Sequence, residues 1–156
     1  MSESIYILGY SVGEYSYRQE EIICAFKNES EANSICEKLQ AIEVFISSTR
    51  KEIDAKSSTY KEALPQIAPS DAPKVPYNCR ENKEVKDAWE EKNRVFLKEY
   101  YASANEVYEK TTIYTASLWK EIFDTKPEYK ELFSYYNFQE NYYSSPDFYV
   151  IKTELK

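Results

Sequence analysis

LQAIEVFISSTRKEIDAKSSTY, Leu39 to Tyr60, runs within a few residues into PQIAPSDAPKVP, Pro65 to Pro76, and this junction decides the fold. Leu39, Ile42, Ile46, Thr49, Ile53, Lys56 and Tyr60 recur at alternating spacings of three and four, which puts them on one side of an α-helix. Ala32, Ile35 and Cys36 extend the stripe upstream, and Asn28 with Glu31 three residues later offers an N-cap with a capping-box partner. The spacing therefore predicts one helix over 29–63. Four prolines in the following twelve residues cannot sit in a helix interior, so 64–80 reads as an extended, Pro-rich connector.

Beyond the connector the helical period returns over 82–123. Leu97, Tyr101, Ala104, Tyr108, Thr111, Thr115, Leu118 and Ile122 form one stripe, with Trp89, Phe96, Tyr100, Val107 and Tyr114 beside it. A face that wide is best buried by packing the two long helices antiparallel. Pro127 suits the first position of a short third helix ending near Tyr136. At the chain ends, 4–10 and 20–27 are β-branched and aromatic and flank a turn containing Gly13, which reads as a β-hairpin, and 148–155 alternates as a closing strand. The hairpin is its one available sheet partner. The predicted class is α+β: a small three-stranded antiparallel sheet with a long inserted helical hairpin and a short third helix, in a single domain over 1–156. Ile5, Ile7, Ile22, Cys24, Ile151 and Leu155 are predicted to line the sheet face against the first helix.

The composition excludes more chemistry than it suggests. The 156 residues include 16 Tyr, two Gly and no His. Without imidazole there is no Ser-His-Asp or Cys-His nucleophile and no His-ligated zinc, and two glycines within five residues cannot build a phosphate-binding loop. The net charge of −7 opposes binding to nucleic acid or anionic membranes and favours basic partners. No apolar run approaches a membrane span and the N-terminus carries no export signal, so the chain reads as soluble. Cys24, Cys36 and Cys79, odd in number and without C-x-x-C spacing, fit a reducing cytoplasm. No cofactor, metal or catalytic residue is assigned.

Three constellations bear on function. Gly9-Tyr10-Ser11-Val12-Gly13 matches G-x-S-x-G after a strand, but it leads into another strand rather than a helix, so Ser11 reads as hairpin rather than nucleophile. Glu84, Asp87 and Glu91 share a helix face, as do Glu106 and Glu109, and the interleaved Lys83, Lys86 and Arg94 make the first set a solvated ion-pair face. Nine aromatics fall between Pro127 and Tyr149. Helix and strand faces bury about half, which points to Tyr135, Tyr136, Tyr142 and Tyr143 as exposed rings, with Glu128, Glu131 and Glu140 in the same segment as a contact surface for a protein partner. The competing surface is the outer face of the helical hairpin around Glu84, Asp87 and Glu91.

The strand Ile5-Tyr6-Ile7-Leu8-Gly9-Tyr10, a second strand ending Ala25-Phe26, the helix with Glu31-Ala32 and the last strand Phe148-Tyr149-Val150-Ile151 resemble small uncharacterised phage and bacterial β-β-α-β proteins. The resemblance covers about 50 residues and implies no activity; the richness in Lys, Asn, Tyr, Ile and Glu also looks like translation of an AT-rich genome. The function expected is a non-enzymatic acidic binding protein. It would act as a phage-type inhibitor or adaptor, similar in role to anti-CRISPR proteins, on a basic, nucleic-acid-handling host protein in the cytoplasm, with a homodimer among the open oligomeric states. The alternative is a small-molecule binder that sequesters a nucleotide signal by Tyr stacking.

Overall fold

The computed structural model describes residues 3–13 and 17–155, without the side chains of Glu3 and Leu155. The order of elements is β1 (Glu3–Val12), β2 (Gln19–Phe26), α1 (Glu29–Ala63), α2 (Lys83–Asp124), α3 (Pro127–Lys130) and β3 (Asp147–Leu155). The sheet is antiparallel in the order β2-β1-β3, so the chain ends do supply it and the class is α+β. The third helix is one turn long, and Glu131–Tyr135 continues as hydrogen-bonded turns rather than as helix. The contacts group into two compact units, Met1–Ile53 with Ser117–Lys156, and Asp54–Ala116.

In the first unit the core is built from Leu8, Leu39, Ile42, Ile46, Ile53, Trp119, Phe123, Tyr136 and Phe138. The α1 stripe is buried as its period requires: Ala32, Leu39, Ile42 and Ile46 have no exposure. Asn28 caps α1, its Oδ1 accepting from the Ser30 and Glu31 backbone N–H groups at 2.8 and 3.3 Å.

The sheet presents to this core the face opposite to the predicted one. Leu8 is fully buried, and Tyr10, Cys24, Phe26, Phe148 and Val150 pack against the core. Ile22 and Ile151, by contrast, are 70% and 52% exposed, and Ile7 pairs with Ile151 on their side. Both faces of β1 are apolar, so alternation alone does not choose between them. Cys24 reaches the core face because a bulge between Leu8 and Gly9 shifts the register, pairing Leu8 with Cys24 but Gly9 with Ile22. The side chain of Leu155 lies outside the described residues. Gly9 is obligatory on the outer face, since a Cβ there would come within 2.8 Å of the Glu21 carbonyl oxygen and the Tyr149 ring. Gly13 has φ +97°, a left-handed conformation at the start of the hairpin turn, whose residues 14–16 lie outside the described ones.

The second unit holds the end of α1, the connector and most of α2. Ser57 Oγ and Thr115 Oγ1 share a buried hydrogen bond of 2.7 Å, and the Tyr60 and Tyr114 rings stack at 4.2 Å. The connector is irregular as predicted, with one 3-10 turn at Pro69–Asp71. It covers Trp89, whose indole N–H donates to the Pro73 carbonyl at 3.0 Å. The side of α2 that is covered is accordingly the one carrying Trp89, Phe96, Tyr100, Val107 and Tyr114. Leu97, Tyr101 and Tyr108 of the longer stripe are exposed.

Candidate functional site

Segment 126–146 supplies the aromatic cluster, and its rings dock on α1, α2 and all three strands of the sheet. Pro127, with φ fixed, starts α3, whose Tyr129 meets Phe45 of α1 edge-on at 5.5 Å with the Lys126 ammonium over both rings. Phe133 stands edge-on to Phe123 of α2 at 5.2 Å, and Tyr135 stacks on Phe26 of β2 at 6.4 Å. Tyr136 contacts Tyr10 of β1 at 5.0 Å, Phe138 at 4.8 Å and Phe148 of β3 at 5.5 Å. Tyr142 stacks on Trp119 of α2 at 5.3 Å. Arg50 of α1 then holds the far end of the segment, donating to the carbonyls of Tyr142 (3.0 Å) and Ser144 (3.2 Å), with its guanidinium 6.0 Å from the Tyr143 ring centre.

This geometry corrects part of the expected contact surface. Tyr136 is 7% exposed and is a core ring; its hydroxyl meets Ser144 Oγ at 2.5 Å. Tyr135 and Tyr142 are half-buried with one face each occupied, and Tyr143 is 54% exposed. Glu128, Glu131 and Glu140 are exposed. Tyrosines rather than phenylalanines suit these positions because a ring can fill an interior gap while its hydroxyl finds a polar partner at the margin. The rings at 135, 136 and 142 thus serve chiefly to close the first unit, and the outward set is Tyr143 with the three glutamates.

Beneath the segment lies a polar group that the sequence reading missed. Glu43 is 6% exposed; its Oε1 accepts from Ser47 Oγ at 2.8 Å, whereas Oε2 is buried without a hydrogen-bond partner. Arg50 Nε and Trp119 Nε1 are buried and unpaired in the same way. Burial pushes the Glu43 carboxyl above its usual range, against the downward pull of Ser47, Arg50 and Ser145, while Asp147 adds to the rise. Burial first, and then the hydrogen bond donated to Glu21 Oε2 (2.7 Å), takes the Tyr10 phenol up to about 12. The signal for Glu43 and Arg50 was in the helical period, because Leu39, Glu43, Ile46, Arg50 and Ile53 follow the same alternation of four and three as the apolar stripe.

Hydrogen bonds and ion pairs engage several of the other candidates. Ser11 is 2% exposed in β1 and its Oγ accepts from Arg18 Nη2 at 2.7 Å. Glu84, Asp87 and Glu91 are exposed on α2, and Glu91 forms a bidentate pair with Arg94 at 2.7 and 2.8 Å. Glu106 pairs with Lys110 at 2.6 Å. The three cysteines are free, and among the described residues no group of His, Cys, Asp or Glu is arranged to hold a metal. In the second unit, Ala55, Lys56, Thr59, Tyr60, Ala63 and Tyr114 line an open groove of about 410 Å³, in which the two tyrosine rings stack on each other. No helix of the described residues is long and apolar enough to cross a membrane. No protein-family model, curated protein or solved structure matches the chain.

Proposed function

We propose that the chain is a non-enzymatic acidic binding protein, an inhibitor or adaptor of the phage type, that engages a basic, nucleic-acid-handling protein. The observation that carries this reading is the anchoring of segment 126–146. Its inward rings and the Arg50 clamp fix its backbone, while Tyr143, Glu128, Glu131 and Glu140 remain outward. A surface ordered before binding loses less entropy on association. Exposed carboxylates and an exposed ring on one segment allow the division of labour found at protein interfaces: charge speeds the encounter, and the ring slows departure. The net charge of −7 selects a basic partner.

The test is kinetic. Proteins retained from a bacterial lysate by the immobilised chain are identified, and the strongest basic interactor is purified. Changing Glu128, Glu131 and Glu140 together to Lys should lower its on-rate about tenfold at low salt, and Tyr143→Ala should raise its off-rate. Unchanged rates for both variants overturn the proposal. A nucleobase absorbance released from the purified, denatured chain would favour the sequestering alternative instead, with the Tyr60–Tyr114 groove as its place.

A further inference from the structure

β3 is an edge strand, because the order β2-β1-β3 gives it one strand neighbour. Its ladder with β1 runs unbroken from the Glu3–Leu155 pair to the Ser11–Asp147 pair, with no bulge and no proline. The opposite edge, β2, is bent by its register shift and carries the adjacent carboxylates Glu20 and Glu21, two devices that discourage further pairing. In an antiparallel ladder, successive residues turn their N–H and C=O groups alternately to one side and the other. The Phe148 N–H turns away from β1 and donates to Gln40 Oε1 of α1 at 3.4 Å. Val150, Lys152 and Glu154 are in phase with Phe148, so their backbone groups point to the open edge, where Gln40 occupies the Phe148 position.

We propose that this edge pairs antiparallel with β3 of a second copy about a two-fold axis at Thr153, making one continuous six-stranded sheet. Outward backbone groups must face each other, so even-numbered residues pair with even-numbered ones and the axis passes through a residue rather than between two. At Thr153, Lys152 stands opposite the second copy's Glu154 and Glu154 opposite its Lys152, giving two ion pairs and two Thr153 side chains side by side. An axis at Ile151 gives as many backbone bonds around Val150 and Lys152 but no ion pair, and an axis at Lys152 sets the two Lys152 side chains opposite each other. Both Lys152 and Glu154 are exposed and available for the pairing. A single strand pair falls below the ~1,200–2,000 Å² of stable interfaces, so association depends on concentration.

Sedimentation equilibrium over a range of concentrations tests this. The wild-type chain should show a monomer–dimer equilibrium. Lys152→Glu and Glu154→Lys should each weaken it by at least about tenfold by setting like charges opposite each other. An equimolar mixture of the two variants, and the double variant K152E/E154K, should restore it. A wild-type chain that stays monomeric overturns the proposal, as do single variants that associate as well as wild type. Both changes lie on exposed side chains, and circular dichroism confirms that the variants remain folded.

Discussion

Glu43 shows what a buried carboxylate does to this fold. It sits on the covered side of α1, next to Ile42, with the Ser47 hydroxyl and Arg50 from its own helix, Ser145 and Asp147 from the end of the aromatic segment and the start of β3, and Tyr136 close enough to feel its charge. Because its folded pKa lies above the unfolded value of about 4.5, the folded state holds the proton more tightly than the unfolded state does. Its ionisation therefore subtracts stability as pH rises through the window above 4.5, and the deficit is fully present once pH exceeds the folded value. Glu43→Gln keeps an acceptor for Ser47 without the charge. It should raise stability at pH 7, with the gain closing as pH falls below 4.5. Thermal melts of both proteins across that range check this, and parallel pH profiles would show that the carboxyl carries no such cost.

The helices are held at their ends by side chains whose removal should be measurable. Asn82 Oδ1 accepts from the Glu84 and Val85 N–H groups at 3.0 and 3.3 Å, the same arrangement as Asn28 on α1. Asn82→Ala and Asn28→Ala should each cost about 1 kcal/mol in urea unfolding, since orphan donors at the first turn lose their acceptor. At the other end of α2, Asp124 accepts from Lys130 and from Lys120 (2.9 Å), tying the helix end to α3. The Lys130 hydrogen bond first, then that of Lys120, takes its carboxyl from 3.8 down to about 2. A depressed folded pKa contributes stability that is full above 3.8 and is lost as pH falls toward 2. Asp124→Asn should flatten the melting-temperature profile in that window; an unchanged slope would mean that the exposed pair is screened by solvent.

For the whole molecule, the proposed binding function makes net charge the quantity to vary. Changing Glu128, Glu131 and Glu140 to Lys adds two charges at each position, moving the net charge from −7 to −1. Solubility near neutral pH should fall, and the salt dependence of the on-rate for a basic partner should flatten. Stability should change little, because all three side chains are exposed. A melting temperature that drops by many degrees in the triple variant would assign these carboxylates to the fold rather than to the surface.

The sequence by itself determined the elements: both long helices, the Pro-rich connector and the three strands lie within two residues of their predicted bounds. Period, caps and prolines are local properties, and they act through the backbone whatever the surroundings. It also determined the buried stripe of α1, because only one side of that helix is apolar. Three matters were left to the tertiary structure. β1 is apolar on both faces, so packing with the α1 stripe, not alternation, put Leu8 and Tyr10 rather than Ile5 and Ile7 at the core. α2 has an apolar arc wider than one partner can cover, and the connector resting on Trp89 decided which part of it stays wet. The tyrosines of 135–143 look alike in sequence, yet Tyr136 is core and Tyr143 is surface. That difference depends on which rings of distant elements stand within about 5 Å of each, a relation between residues far apart in the chain that no spacing records.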